Sequence, residues 1–144
     1  MCRISVASED SLERKFPGEF PRVFCACEAC HAPFLDDLKR EGCVGHGAVW
    51  HMWMLAVHPG AGGRGVGARL VEHNLTLAAA RGYPMAMAEC TNVYSTRCFE
   101  RHEFQLRHRL VYADFEFPEG SGEYPMHGKV EPGFDAVECM VRRL

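Results

Sequence analysis

The stretch Leu55-Ala-Val-His-Pro-Gly-Ala-Gly-Gly-Arg-Gly-Val-Gly-Ala-Arg-Leu70 decides the fold, because it sets a glycine-rich loop between two apolar segments. Before the loop, residues 48–57 (AVWHMWMLAV) are aromatic and branched, which is typical of a buried strand. After the loop, residues 66–81 carry one apolar stripe and end before Gly82, which predicts a helix with a left-handed C-cap. The sequence therefore predicts strand, glycine loop and helix in direct succession.

Such a loop is suited to an anion, since backbone N–H groups converge where a helix begins and the helix dipole favours negative charge. A Walker loop is excluded because no Gly-Lys-Ser/Thr follows the glycines. A dinucleotide fingerprint is matched by Gly60, Gly62 and Gly65, with Glu89 as the ribose-binding acid, but too little chain follows for several βα units. A tight turn without a ligand is the remaining alternative.

The rest of the chain continues as strands and helices. Residues 85–90 (MAMAEC) alternate large and small side chains, which predicts a strand buried on both faces. Thr91 and Asn92 are good N-caps for a second helix. Residues 107–117 and 136–144 predict two late strands, arranged as an antiparallel hairpin.

Residues 1–47 are predicted to form an atypical, cysteine-rich segment in which only residues 34–40 (FLDDLKR) make a short helix. Residues that break regular structure interrupt any longer element there, namely Pro17, Gly18, Pro21 and Pro33. Its potential ligands are spaced as a tetrahedral zinc site requires, in the order Cys27-x2-Cys30-x12-Cys43-x2-His46. The string from Cys27 to His31 also fits a haem attachment motif, and unpaired thiols are the third alternative.

Composition narrows the class of protein further. A chain of 144 residues with 47% hydrophobic residues suits one domain. A net charge of −3 with only 16 Lys and Arg argues against nucleic-acid or membrane partners and leaves small molecules open. The start lacks the apolar core of a signal peptide, so the eight cysteines are expected to be reduced thiols of a cytoplasmic protein.

The quoted stretch resembles the acetyl-CoA motif of the GCN5-related N-acetyltransferases (GNAT), which is Arg/Gln-x-x-Gly-x-Gly/Ala after a strand ending Leu-x-Val. Gly65 and Gly67 fill the two glycine positions, whereas Gly62 stands where the family has Arg or Gln, with Arg64 as a substitute. Downstream residues match the family pattern Asn-x-x-Ala-x-x-x-Tyr-Glu-Lys-x-Gly-Phe in register, through Asn92, Ser95, Phe99, Glu100, Arg101 and Phe104.

The resemblance implies the GNAT acyl-CoA N-acyltransferase fold, an α/β fold with a mixed central sheet, flanking helices and short or missing N-terminal strands. Residues 48–144 would form its acetyl-CoA-binding core. Residues 89–100 and 110–115 are similar to the arylalkylamine N-acetyltransferases of insects and other invertebrates. The implied reaction is acetyl transfer from acetyl-CoA to an arylalkylamine such as dopamine, tyramine, octopamine or serotonin.

The resemblance also implies which residues bind and react. Acetyl-CoA would contact the end of the first strand, the glycine loop and the second helix, through Leu55, Ala56, Val57, Gly62, Gly63, Arg64, Gly65, Gly67, Ala68, Asn92 and Phe99. Many relatives protonate the leaving thiolate with a tyrosine where this chain has Phe99, so the hydroxyls of Thr91 and Ser95 are the expected donors. Helix capping is their alternative role.

The general base is expected at His51 or at Glu89, whose pKa burial is expected to raise. Structural roles inside the fold are the alternative for both residues. The rings expected to face the amine are Trp50, Trp53 and Tyr94.

The chain is short for this family, whose members have three strands and two helices before the strand at residues 48–57. Average element and loop lengths would require about 67 residues there, and only 47 precede Ala48. Residues 1–33 are therefore expected to be a replacement or truncation of the front half that normally supplies the amine pocket. The alternative functions are a catalytically impaired GNAT protein and a zinc-supported interaction module.

Overall fold

The computed structural model describes residues 20–43, 47–117, 119–124, 126–129 and 132–144. Its helices and strands are, in chain order, α1 (Phe20–Arg40), β1 (Trp50–His51), α2 (Val66–Ala80), β2 (Met85–Cys90), α3 (Val93–Glu100), β3 (Gln105–Val111) and β4 (Ala136–Arg143). Short 3-10 turns lie at Pro59–Ala61 and Tyr112–Asp114. Within these described ranges, no helix has the length and apolar character that crossing a membrane requires.

The four strands form one mixed sheet in the order β1-β2-β4-β3. β1 runs parallel to β2, whereas β4 is antiparallel to both β2 and β3. The predicted late hairpin is confirmed, with a register shift between Leu106 and His108. The first late strand was expected to reach residue 117, but it ends at Val111 because the chain turns at Tyr112–Asp114.

The helix α1 overturns the expectation of an irregular segment with a short helix at residues 34–40. It runs through 21 residues and includes Pro33. Four residues spaced by four positions are buried against the sheet, namely Ala26, Cys30, Phe34 and Leu38. Burying each larger apolar side chain contributes about 1.5–3 kcal/mol, which offsets the roughly 3 kcal/mol that an internal proline costs. Pro21 lies in the first turn, where a helix tolerates proline; Pro17 and Gly18 lie outside the described residues.

The strand β2 forms the middle of the molecule, and its two faces contribute to two core clusters. Met85 and Met87 pack toward α1, whereas Ala86, Ala88 and Cys90 pack toward α2 and α3. The prediction of a strand buried on both faces is confirmed. The division of the chain at residue 47 stays a prediction, although α1 shares the first of these clusters with the sheet.

The helix α2 agrees with its prediction to within one residue. Gly65 precedes it in a left-handed conformation, with φ of 70°. Gly82 follows it at φ 75°, and its amide donates to the carbonyl of Ala79 at 2.9 Å. The left-handed C-cap predicted at Gly82 is therefore confirmed.

The helix α3 begins at the predicted cap and is followed by a residue in an unusual conformation. Glu103 has φ of 62°, a left-handed value that costs a side-chain-bearing residue about 1 kcal/mol or more. It occupies the position at which the GNAT pattern has glycine. Its carboxylate meets Arg142 at 3.0 Å, but Glu103 is largely exposed, so this pair offsets little of the strain.

Candidate active site

The strands β1 and β2 separate at one end, which opens the sheet. Their pairing consists of Trp50 with Ala86 and His51 with Met87. The last bond runs from the Met52 amide to the Met87 carbonyl, at 2.8 Å. The predicted strand at residues 48–57 is therefore wrong beyond His51, because the chain diverges from β2 there. The backbone of residues 55–57, where acetyl-CoA was expected to bind, lies outside the strand ladder.

The glycine loop follows this diverging segment and begins as a closed turn. The amide of Ala61 donates to the His58 carbonyl at 2.8 Å, and that of Gly62 donates to the Pro59 carbonyl at 3.0 Å. Gly60 donates to the His58 ring nitrogen Nδ1 at 3.1 Å. Gly62, an expected cofactor contact, therefore has no amide hydrogen free for a ligand.

The second half of the loop presents amides that are open to a ligand. Among the described residues, the amides of residues 63–68 make no backbone hydrogen bond of ordinary length and angle, although residues 62–65 form a turn. Gly63 and Gly65 adopt left-handed φ values of 71° and 70°, which turn neighbouring amides toward one side as in an anion-binding nest. The amides lie at the positive end of α2. The expected contacts at Gly63, Arg64, Gly65, Gly67 and Ala68 therefore fit a pyrophosphate.

A buried carboxylate lies beside the opening, on the α1 side of the sheet. The side chain of Glu89 is 5% exposed and is bound between two histidines. His31 Nδ1 lies 2.5 Å from Oε1, and His51 Nε2 lies 2.6 Å from Oε2. Since an ionised carboxylate only accepts hydrogen bonds, both ring nitrogens are assigned as donors. His31, Glu89 and His51 are called the His–Glu–His cluster below.

The surroundings of Glu89 contradict the expected rise in its pKa. Burial alone would raise it, but the hydrogen bonds from His31 and His51 and the attraction of their rings lower the pKa of Glu89 to about 2. Glu89 is therefore ionised at neutral pH and a weak base. When His51 is neutral, its hydrogen bond to Glu89 leaves the lone pair on Nδ1. The His51 side chain is 27% exposed and that of His31 only 11%, so His51 is the more accessible base.

The hydroxyl candidates lie where β2 leads into α3. Asn92 Oδ1 accepts the amides of Tyr94 and Ser95, each at 3.0 Å, so Asn92 rather than Thr91 caps the helix. The Ser95 hydroxyl donates to the Asn92 carbonyl at 2.8 Å. Burial raises the pKa of the Cys90 thiol to about 12, against hydrogen bonds from Ser95 and Thr96 that lower it. Ser95 thus lies against an un-ionised thiol at the end of β2.

Phe99 does not occupy the position expected of a cofactor contact. Its side chain is 2% exposed and packs edge-on against Phe104, with ring centres 4.9 Å apart. Leu55 is half-buried against the same cluster. The structure therefore assigns Phe99 to the core, where it stabilises the α3 side of the sheet.

The three expected aromatic contacts have different surroundings. Trp50 packs edge-to-face with Tyr83 at 5.1 Å and carries the Arg81 guanidinium over one face of its ring. Tyr94 packs against Phe134. Trp53 instead stacks on Phe24 of α1, with ring centres 5.3 Å apart and planes 17° apart.

Two residues of this region, His31 and Phe24, were not predicted as part of an active site. Both lie on α1, in the part where prolines were expected to prevent a continuous helix. They are seven positions apart, which places them on one face of a helix. That spacing was the available signal, but it has meaning only once the segment is assigned as helical.

The cysteines of α1 do not form the predicted zinc site with the other described residues. Burial raises the pKa of Cys27 to about 12 and that of Cys30 to about 11, which opposes the thiolate form that zinc binds. The Cys30 thiol donates to the Val137 carbonyl at 3.4 Å. Cys43 is exposed, and His46 lies outside the described residues. Across the described ranges, no three His, Cys, Asp or Glu side chains are grouped to hold a metal.

Comparison with protein families relates this chain to a family of acetyltransferases. The model of the acetyltransferase (GNAT) family matches residues 11–104, which include the glycine loop, β2 and α3. The match also crosses residue 47 and includes α1. Among curated proteins, no sequence matches this chain.

Solved structures provide the second comparison. A Drosophila melanogaster polyamine N-acetyltransferase, described as forming N-acetylagmatine, is 26% identical with a TM-score of 0.68 over 94% of this chain. An agmatine N-acetyltransferase mutant in its apo form is 26% identical with a TM-score of 0.67 over 94%. A mosquito arylalkylamine N-acetyltransferase-like protein, at 18% identity and a TM-score of 0.66 over 98%, shares the fold. The chain spans only 62%, 63% and 65% of these proteins.

Proposed function

The chain belongs to the acetyltransferase (GNAT) family, and from that premise we propose that it transfers the acetyl group of acetyl-CoA to the nitrogen of a primary arylalkylamine. One observation carries the proposal: the opening between β1 and β2 has a row of open amides near one side and the His–Glu–His cluster on the other. The amides suit an anionic cosubstrate, and the cluster suits a cationic acceptor that must lose a proton.

The loop half of the site binds acetyl-CoA. The open amides of residues 63–68 donate to the pyrophosphate, and Arg64 adds a positive charge beside it. The unpaired backbone of residues 55–57 hydrogen-bonds the pantetheine arm, as a strand edge pairs with an extended ligand. Bound this way, the thioester lies across the opening from Glu89.

His51 removes the proton that the amine must lose. Its Nε2–H is held by Glu89, which fixes the tautomer and leaves Nδ1 to accept the proton. The same carboxylate stabilises the imidazolium that forms, as the orienting acid of a catalytic triad does. Glu89 is thus a positioning residue in this proposal, although the sequence suggested it as the base.

Attack by the neutral amine on the thioester carbonyl forms the carbon–nitrogen bond, and collapse of the tetrahedral intermediate breaks the carbon–sulfur bond. The second proton that the nitrogen then loses passes to solvent. The departing CoA thiolate takes a proton from the Ser95 hydroxyl or from Thr91. Solvent restores the hydroxyl proton, and the proton held by His51 returns to solvent. The overall change is acetyl-CoA plus amine to N-acetylamine plus CoA, and it requires no covalent enzyme intermediate.

A second acceptor class is agmatine or another polyamine. It is favoured by the two structures at 26% identity, which are described as polyamine and agmatine N-acetyltransferases. Both classes share a primary amine, so the chemistry above serves either one. They differ in the group at the far end of the acceptor, which is an aromatic ring in one and a second cation in the other.

Turnover with a panel of amines tests the proposal. Release of CoA thiol is measured with tyramine, dopamine, octopamine, serotonin, agmatine and putrescine, with a Gly65→Glu variant that sets a carboxylate among the open amides as control. We expect acetylation of the aryl amines, and none by Gly65→Glu. Turnover of agmatine alone would select the second acceptor class. If no amine is turned over and acetyl-CoA causes no thermal shift, the proposed acetyltransferase activity is refuted.

A further inference from the structure

The stacked pair of Phe24 and Trp53 is a second feature on the α1 side of the opening. Trp53 is 58% exposed and the following Met54 is 61% exposed, although both are large apolar residues. Trp53 nevertheless stacks on Phe24 with its plane only 17° from parallel. The structure thus exposes an aromatic surface on the segment that diverges from β2.

This surface lies next to the His–Glu–His cluster along two elements. Trp53 follows His51 by two positions, and both rings contact α1, His51 through His31 and Trp53 through Phe24. On α1, Phe24 and His31 are two helical turns apart on one face. The Phe24–Trp53 contact and the His31–Glu89–His51 contacts therefore join α1 to the diverging segment at successive positions.

We infer that the Phe24–Trp53 pair is the specificity-determining subsite for the aromatic ring of the acceptor amine. The inference rests on the proposed function and deepens it. The exposed Trp53 surface offers a ring an apolar contact with stacking geometry. The ionised Glu89 in the adjacent cluster attracts the cationic end of the same molecule, and a two-carbon chain bridges the interval between them.

The other aromatic residues do not offer this combination. Trp50 contacts Tyr83 edge-to-face, carries Arg81 over its ring and packs against the core cluster on the α2 side. Tyr94 is 68% exposed but lies on α3, where it packs against Phe134. Trp53 alone among the three expected rings shares the α1 side with the cluster.

The test compares two amines of matched size, 2-phenylethylamine and 2-cyclohexylethylamine, which differ in whether the ring has a π face. The Trp53→Leu variant should raise KM for phenylethylamine by about three- to tenfold, the range expected from loss of one aromatic pair. KM for cyclohexylethylamine should change less than twofold. Tyr124→Leu, which removes another exposed ring outside the proposed site, should alter neither value.

The outcomes separate this inference from the proposed function. Equal changes for both amines in Trp53→Leu, or no change for either, would overturn the subsite while turnover itself upheld the acetyltransferase. If the wild type acetylates neither amine nor the panel above, both proposals fail. Trp53 is mostly exposed, so its replacement is compatible with folding; Phe24→Leu provides a second variant in which the same selective loss is expected.

Discussion

The two faces of β2 bury side chains of different chemical character. Toward α2 and α3, the strand presents Ala86, Ala88 and Cys90 to an apolar cluster. Toward α1, the same strand ends in a carboxylate that is 5% exposed and held by two histidines. A buried ionic group costs more desolvation free energy than an apolar side chain and is a weak source of stability. The difference fits the proposal that the α1 face receives the acceptor, while the opposite face supports the loop proposed to bind acetyl-CoA.

Replacing His51 should produce the largest effect on the α1 face. His51→Gln keeps a donor for Glu89 but removes the basic nitrogen, and a general base contributes about 10²- to 10⁴-fold to a rate. We expect kcat to fall at least 100-fold, measured by CoA release at saturating acetyl-CoA. His31→Gln is the matched control, expected to lower kcat less than tenfold. A loss as large in the control as in His51→Gln would remove His51 from the role of base.

Acid should weaken the α1 face selectively. The pKa of Glu89 is about 2 in the folded chain, whereas the ordinary value of a glutamate is 4.5. The ionised carboxylate therefore contributes its full stabilisation of the fold above pH 4.5, and this contribution is lost as the pH falls toward 2. The difference corresponds to about 3 kcal/mol. Urea unfolding at pH 7, 4 and 3 should therefore show a steeper acid loss in wild type than in Glu89→Gln. Parallel losses in the two proteins would argue against the low pKa.

The glycine loop proposed to bind acetyl-CoA can be altered one amide at a time. A Cβ at Gly67 would meet only Val57 Cγ2, at an ordinary 3.7 Å, so Gly67→Ala is tolerated and keeps the N–H. Gly67→Pro removes that N–H in the first helical turn, where proline is accepted. A lost bond to a charged group costs about 1.5–3 kcal/mol. Titration calorimetry should show CoA binding at least tenfold weaker in Gly67→Pro than in Gly67→Ala; equal affinities would contradict phosphate binding by this amide.

Ser95 lies on α3, on the side of the sheet proposed to bind acetyl-CoA, and its replacement should affect the chemical step. Ser95→Ala is expected to lower kcat roughly tenfold while leaving KM for both substrates near wild type, because a proton donor acts only as the thiolate forms. Thr91→Ala is the parallel variant, since Thr91 is the other hydroxyl at this position. A rise in KM without a fall in kcat would assign Ser95 to helix capping alone.

The smallest effect concerns stability away from both halves of the site. Glu103→Gly relieves the left-handed conformation at φ 62° and loses only an exposed pair with Arg142. We expect the free energy of unfolding to rise by about 1 kcal/mol in denaturant titrations. Glu103→Ala loses the same pair and keeps the strain, so it should bring no gain. A gain of equal size in both variants would exclude backbone strain as the cause.

Local patterns predicted the α2–α3 half of the molecule well. Residues adjacent in the sequence determine the glycine loop, the helix that follows it and the left-handed Gly82. These features can therefore be predicted without knowledge of tertiary contacts. The alternation in residues 85–90 predicted β2, and Asn92 was recognised as a cap. The family motifs lie in this same half, which is why the resemblance was specific.

The α1 half depends on contacts between residues that are distant in the sequence, and the predictions made there from local patterns were wrong. Pro33 predicted a break, but the stripe from Ala26 to Leu38 gains enough burial against the sheet to keep the helix continuous. The low pKa of Glu89 depends on His31, which is 58 positions away. Neither effect has a local signature. The end of β1 at His51 likewise has no local signature, since the apolar residues that follow resemble a continuing strand.

The most direct test of the central claim, that the two halves of the opening bind different substrates, is NMR chemical-shift mapping with CoA and with tyramine added separately. We expect CoA to shift the backbone amides of residues 63–68, whereas tyramine should shift the ring signals of His31 and His51 and the indole of Trp53. The contradicting result is tyramine perturbing the glycine loop while the rings of His31, His51 and Trp53 stay unchanged.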